Sequence, residues 1–472
     1  MKTVALFALL STLVTAGPIE SRSTQSCDTA PYSSGPKVST SEHTILSLGA
    51  YAPFISRQSS LCRDTPKGFT VDQVTIVSRH GARSPTASAL KKITATIAKA
   101  TNATITDDAF AFVKNYTLDG YTADQLTDFG RRQMYDSGVT YAKRYKSLAK
   151  KSFTRSASQD RVVESSQYFI QGFSGQKFNI INSTLLTLPD VIVSEDAGMN
   201  NTMANMNCPA FDDATVDPGD VAEDNWTAVF APPITARLNE KLSGANFTDA
   251  DVAILMSMCG YDAIKNLDYA VGPWCSVFTD DEWDQNEYWF DVSKYWGRSW
   301  GNPYARPRYS GYVNEVISRL TGNPVVLGGS TNSTLDTNAV DFPLDRTFYM
   351  DATHDNDMSG LLAALRIGKD DPLPTGVATD KIPRHHFTVS QIVPFAARFA
   401  IERLSNKAGD KYVRILINDA VSPMDFPGCG DYGWAGMCEL DAWVAAQSYS
   451  QDVNSYYDEV CSTNYNVTVL LE

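Results

Sequence analysis

Within residues 74–86, VTIVSRHGARSPT, three side chains able to bind or attack phosphorus fall close together: Arg79, His80 and Arg83, followed by the hydroxyls of Ser84 and Thr86. A guanidinium binds phosphate oxygens bidentately and does not deprotonate, and an imidazole between two fixed cations is biased toward its neutral, nucleophilic form. Together these residues can cradle a phosphate and attack it. A second set, Thr353-His354-Asp355-Asn356, puts an imidazole beside a carboxyl that can carry a proton. A third string, RSASQDR at residues 155–161, offers two more guanidinium groups, Arg155 and Arg161.

The elements that must position them follow from the pattern around each set. Val74, Ile76 and Val77 are β-branched and the run is bounded by Gly81 and Pro85, which reads as a buried strand ending in a tight loop. Residues 347–352 are again strand-like and run directly into His354 and Asp355, before a helix with Met358, Leu361, Leu362 and Leu365 on one face. Ligands of open α/β sheets bind beyond the carboxyl ends of strands, so these two ends can share one site. Residues 152–156 read as a strand, with Asp160 as N-cap of a helix over 161–173. An Arg at a helix N-terminus is disfavoured by the dipole, so Arg161 makes sense facing an anion.

Further helices are expected after the first loop, with Leu90, Ile93 and Ile97 buried and Lys91 and Lys92 elsewhere, and over 122–147 with Met134, Tyr141 and Tyr145 on one stripe. Strands are expected at 191–195, 396–404 and 412–418, and residues 196–340 read as helical, irregular and aromatic. The fold class is therefore α/β, a mixed central sheet flanked by helices. The expected organisation is a catalytic domain over 41–195 and 341–472 with a smaller helical domain over 196–340.

The 472 residues are 43% hydrophobic and 20% charged, a globular composition. Lys2, the apolar run from Val4 to Leu13 and Val14-Thr15-Ala16 read as a secretory signal peptide over residues 1–16, with an extended Ser, Thr, Pro and Gly-rich arm over 17–40. The apolar run is too short to span a bilayer. Lys2 is the only charge in that segment, so its removal takes the formal net charge from −14 to −15, which argues against nucleic-acid and membrane partners. The expected partner is a small anionic substrate, met by a monomer.

Export is supported by eight N-x-S/T sequons, at Asn102, Asn115, Asn182, Asn200, Asn225, Asn246, Asn332 and Asn466. The eight cysteines, Cys27, Cys62, Cys208, Cys259, Cys275, Cys429, Cys438 and Cys461, read as four disulfides in an oxidising compartment. No CxxC pair or Cys/His cluster with metal-ligand spacing occurs, so neither a metal nor a cofactor is expected.

RHGARSPT resembles the RHGxRxP signature of the histidine acid phosphatase superfamily, and His354-Asp355 resembles its His-Asp pair. Similarity to the secreted fungal phytases runs on through NATITDDAFAFVKNY, LTDFGRRQ, GNPYARPRYSGYVNEVISRLTG and INDAVSP. The resemblance implies a phosphoglycerate mutase-like fold with a mostly α-helical inserted domain. It implies a phosphohistidine formed on His80, phosphate binding by Arg79, Arg83, Arg161 and His354, and proton transfer by Asp355. Arg155 is the alternative to Arg161 and reads as structural. Asn356 is expected to orient Asp355 or the leaving group.

From the same resemblance, Tyr51 reaches the pocket or packs against the core, and Lys91, Lys92 and Lys294 meet outer phosphates of a polyphosphorylated substrate. It also implies the pairs Cys259–Cys275, Cys429–Cys438 and Cys208–Cys461, leaving Cys62 to Cys27. The expected activity is stepwise hydrolysis of myo-inositol hexakisphosphate at acidic pH, with a broad acid phosphatase as the alternative. Ala352-Thr353 stands where the phytases usually carry Phe-Ser, and Ser84 where an aromatic is frequent; both bear on that choice. A non-catalytic phosphate binder would need neither His80 nor Asp355.

Overall fold

The computed structural model describes residues 42–204, 207–212, 216–424, 426–452, 457, 460 and 461. The signal peptide and arm expected over residues 1–40, Cys27 and Asn466 lie outside them. The strands of the main sheet are β1 (Phe69–Arg79), β2 (Ser152–Ala157), β3 (Val191–Val193), β4 (Phe348–Thr353), β5 (Arg398–Asn406), β6 (Lys411–Ile417), β7 (Ala420–Val421) and β8 (Met437–Glu439). Their order is β8-β6-β5-β1-β4-β2-β3, with β7 on β6. β1 runs parallel to β4, in a register that pairs Val74 with Phe348 and Arg79 with Thr353, and antiparallel to β5.

β1 is fully buried from Gln73 onward, with Val74, Ile76 and Val77 all at 0% exposure, which is why this run of β-branched residues can be continuous rather than alternating. Its carboxyl end and that of β4 finish side by side at the centre of the sheet: His80 N donates to Thr353 O and Ala396 N to His80 O.

Helix α1 (Ala87–Thr101) is capped by Thr86, which accepts from Ala89 N, and α2 (Asp128–Arg144) by Thr127, which accepts from Gly130 N. α3 (Asp160–Phe173) follows β2. Between β3 and β4 the chain passes through α4 (Pro218–Lys241), α5 (Asp249–Ala263), α6 (Asp280–Arg298) and α7 (Ser310–Thr321) before α8 (Asp355–Ala364) begins directly after β4. Trp226, Phe230, Leu255, Met256, Trp283 and Val292 make the buried seam of this helical stretch. α6 starts with a reciprocal capping box between Thr279 and Glu282.

Two expectations need correction. The strand expected from residue 396 begins at Arg398, because Ala396 takes a positive φ of 59° to return its N–H to His80 O. The N-cap of α3 is Gln159, without a side-chain cap bond, so Asp160 is already helical and Arg161 follows it in the first turn.

The disulfides Cys208–Cys461, Cys259–Cys275 and Cys429–Cys438 are formed, and Cys62 is half-buried and unbonded among the described residues. Asn102, Asn115, Asn182, Asn225 and Asn246 are exposed. Asn200 and Asn332 are half-buried, and their amide nitrogens donate to Thr331 O and Asn200 O. Among the described residues no helix is long and apolar enough to cross a membrane.

Candidate active site

The loop leaving β1 is held by side chains from the two helices that flank it. Gly81 N donates to Ser165 Oγ on α3, Ala82 N to Gln133 Oε1 on α2, and Thr127 N to Ala82 O. Helix and loop meet so closely that a Cβ on Gly130 would stand 2.0 Å from Ala82 O. This clamp fixes where His80 and Arg83 leave the backbone.

His80 is 1% exposed. Its Nδ1 lies 2.8 Å from Gly81 O. A carbonyl only accepts, so Nδ1 carries the proton and Nε2 keeps its lone pair. Burial first, then the charges of Arg79 and Arg83, hold its pKa well below that of free histidine, which favours the neutral ring.

Arg79 is fully buried. Its Nη1 donates to Ala50 O at 2.5 Å and Val393 O at 2.6 Å, its guanidinium lies 4.5 Å from the Phe395 ring centre, and its Nη2 is 3.6 Å from Asp355 Oδ2. Burial lowers its pKa to about 10, which leaves it charged. Arg83 Nη1 donates to Ser84 O. Arg79 Nη2, Arg83 Nε and Arg161 Nε are buried with no acceptor in hydrogen-bonding range among the described residues, and a buried unpaired donor of this kind is costly until an anion accepts from it.

His354, the residue before α8, packs its ring 5.6 Å from that of His80 at 70°. Its Nε2 lies 2.9 Å from Glu195 Oε2, and its Nδ1 lies 3.5 Å from Arg161 Nη2, the outer limit of a hydrogen bond. Burial opposes ionisation of Glu195, but the hydrogen bond and charge of His354 outweigh it and its pKa is lowered. Asp355 lies 2.8 Å from Lys294 Nζ on α6. Burial would raise its pKa; Arg79 and Lys294 outweigh burial and hold it well below the usual carboxylate range. Lys294 also donates to Asn356 Oδ1.

His80, Arg83, Thr86, Arg161, His354, Asp355 and Asn356 all line one cavity of about 540 Å³, with Arg79 behind it. A neutral imidazole with a free lone pair, the guanidinium groups of Arg83 and Arg161 and the Asp355 carboxyl share one space, into which Arg298 and Arg308 also face, the parts needed to move a phosphoryl group through a covalent intermediate. Residues 70–418 match the model of the histidine phosphatase superfamily, branch 2. The chain belongs to that branch.

Among relatives, this histidine phosphatase is 37% identical over 461 residues to Phytase A of Emericella nidulans, covering 95% of this chain and 96% of that protein. It is 38% identical to Phytase A of Aspergillus awamori, covering 85% and 88%. The crystal structure of the phytase from D. castellii matches with a TM-score of 0.71 at 26% identity, over 90% of this chain and 88% of that one. A multiple inositol polyphosphate phosphatase from Bifidobacterium longum, in complex with inositol hexasulfate, matches with a TM-score of 0.53 at 16% identity over 84% and 96%, a likeness of fold.

The remaining sequence candidates of this histidine phosphatase divide between two places. Tyr51 and Lys92 line a second cavity of about 500 Å³, together with Thr86, Tyr261, Trp289 and Phe290; Thr86 belongs to both. Tyr51 packs its ring 4.6 Å from that of Tyr261. Lys91 is exposed on α1 and lines neither of these cavities. Arg155 is buried between Asp351 and Glu315, away from the cavity lining.

Sequence reasoning missed Glu195 and Asp124. Glu195 follows β3 and accepts from Gln159 N as well as facing His354. Asp124 accepts from Ala87 N and lies 3.4 Å from Arg161 Nη1. For Glu195 a signal existed, since an acidic residue at the carboxyl end of a third strand falls where such sites form. Asp124 sits in a loop with no pattern to mark it.

Proposed function

We propose that this histidine phosphatase is an exported acid phosphomonoesterase that hydrolyses myo-inositol hexakisphosphate stepwise. The carrying observation is the fixed His80 tautomer, with an unprotonated Nε2 in one cavity with the Arg83 and Arg161 guanidinium groups and the Asp355 carboxyl. Arg79, Arg83, Arg161 and His354 hold the scissile phosphate and offset its charge. His80 Nε2 attacks phosphorus while the ester P–O bond breaks, and protonated Asp355 gives its proton to the departing oxygen. Water then attacks the phosphohistidine, Asp355 takes one of its protons, the P–N bond breaks and phosphate leaves. In this reading Asn356 and Lys294 orient and tune Asp355.

The hexakisphosphate reading is supported by the Phytase A relatives, by Lys92 in the second cavity, which shares Thr86 with the first, and by Lys294 at Asp355. Export is supported by three formed disulfides and five exposed sequons. Residues 196–340 act in this reading as a smaller helical domain that brings Lys294 to the sheet. A broad acid phosphatase is the second reading, favoured by the aromatic wall of Tyr51, Tyr261, Trp289 and Phe290, where Lys92 is the one cation in the cavity lining among the described residues.

The test is steady-state phosphate release between pH 3 and 7 from phytate and from p-nitrophenyl phosphate, for wild type, His80→Ala and Asp355→Asn. Higher kcat/KM on phytate with a dead His80→Ala supports the first reading. Higher kcat/KM on the aryl ester supports the second, and undiminished turnover by His80→Ala overturns the mechanism.

A further inference from the structure

Arg79 has no side-chain carboxylate within hydrogen-bonding distance among the described residues; its guanidinium is aimed by two backbone carbonyls, Ala50 O and Val393 O. These belong to segments far apart in the chain, the single 3-10 turn Gly49–Tyr51 and the stretch just after the short helix Val389–Ile392. One side chain holds both segments. Glu287 on α6 accepts from Gly49 N through Oε2 and from Ser390 N through Oε1, each at 2.7 Å, and is itself 7% exposed.

The rest of the contact is built around that bridge. Asn286 Nδ2 on α6 donates to Ser47 O, and Ser390 Oγ donates to Leu46 O, the second bond tying the two segments directly. Gly49 has a φ of +52°, and a Cβ there would stand 2.0 Å from the Phe290 ring, so the turn is seated against the face of α6 that carries Glu287. Two turns further along the helix, Lys294 reaches Asp355.

We propose that Glu287 is a positioning residue for phosphate binding: by holding Gly49 and Ser390 together it sets the spacing of the Ala50 and Val393 carbonyls, and through them the direction of the Arg79 guanidinium. The inference rests on the reading of Arg79 as a phosphate ligand. The Glu287 carboxyl suits the place because each of its oxygens faces an N–H donor; burial and then Asp291 raise its pKa well above the usual range, and these N–H groups act against that rise. The Gln amide can accept from one of them and sets its own donor against the other.

The test is a double-mutant cycle of Glu287→Gln and Arg79→Lys, read as kcat/KM on p-nitrophenyl phosphate and as the competitive inhibition constant of inorganic phosphate, with folding checked by circular dichroism. Glu287→Gln is expected to lower kcat/KM roughly tenfold and weaken phosphate inhibition by a similar factor, the loss expected when a hydrogen bond to a charged group goes. In the Arg79→Lys background the same change is expected to have little further effect. Ser390→Ala, which removes only the hydroxyl tie to Leu46, is the milder second variant and is expected to show the same coupling at smaller size.

Equal factors in both backgrounds, or a lowered melting temperature with unchanged phosphate inhibition, overturn the positioning role and leave Arg79 as a ligand. Unchanged phosphate inhibition in Arg79→Lys alone overturns the reading of Arg79 itself, whatever Glu287 does.

Discussion

The Asp355 carboxylate lies between two cations contributed by different parts of the fold, 2.8 Å from Lys294 Nζ and 3.6 Å from Arg79 Nη2. Their charge outweighs burial and depresses its pKa, so under the proposed mechanism, in which protonated Asp355 serves the first step, kcat/KM is expected to fall as pH rises. Removing the Lys294 charge raises the Asp355 pKa. Lys294→Met is therefore expected to move the falling limb of the kcat/KM profile on p-nitrophenyl phosphate to higher pH; an unmoved limb would contradict it.

Glu195 Oε2 faces His354 Nε2 at 2.9 Å and fixes the orientation of the ring at the cavity wall. Glu195→Gln is expected to lower kcat/KM roughly tenfold or more, in line with about 1.5–3 kcal/mol for a hydrogen bond to a charged group. The melting temperature should move little, because Glu195 and His354 side chains are each 10% exposed at the cavity rather than within the core. Stopped-assay kinetics beside a thermal melt separate the two effects.

Asp351 on β4 is fully buried and takes Arg155 Nε at 2.9 Å, Arg319 Nη1 at 2.6 Å and the Tyr312 hydroxyl at 2.7 Å. Burial would raise its pKa, but the two guanidinium groups hold it far below the usual range. A depressed folded-state pKa gives stability that is present above the unfolded value, about 3.9, and is lost only as pH falls toward the folded one. The network thus stays ionised in mild acid. Asp351→Asn is expected to cost about 3–5 kcal/mol by leaving buried cations underpaired, and to flatten the acid side of the stability curve, below about pH 4, in urea unfolding followed from pH 2 to 7.

Gly130 is the point where α2 touches the nucleophile loop, and an added methyl cannot fit 2.0 Å from a backbone oxygen. Gly130→Ala is expected to destabilise the protein by about 1–3 kcal/mol and to cut kcat by up to about 100-fold, since a displacement near 1 Å suffices for that loss. Wild-type kcat in a folded Gly130→Ala protein would show that the loop position tolerates the shift.

The chemistry of the two central strand ends was legible because each lies on a short stretch whose apolar run, terminator and polar tip are contiguous: Val74 to Arg83 and Phe348 to Asp355. Arg161 was legible through its misplacement against the helix dipole, though its cap was assigned one residue late. Glu195 carries only the positional signal of an acidic residue at a strand's carboxyl end, and Asp124 and Glu287 carry none, because each matters through a partner from another element and no periodicity marks which residue an approaching segment will meet. Lys294 carries no local signal either, its place following from the resemblance alone. The start of β5 was misjudged because Ala396 is apolar like the strand it precedes, while the bond it makes to His80 demands a left-handed turn.

The parallel pairing of β1 with β4 has a kinetic consequence. His80 and Asp355 become neighbours only when these strands meet, and the whole helical stretch through α4, α5, α6 and α7 lies between them in the chain. Helices form from local contacts, whereas a parallel pairing across so long an intervening segment must first meet its loop-closure entropy. During synthesis, His80 emerges well before Asp355 and waits without that neighbour. Secondary structure therefore precedes catalytic competence in folding, and a chain cut before β4 carries an intact RHGARSPT segment with no enzyme around it.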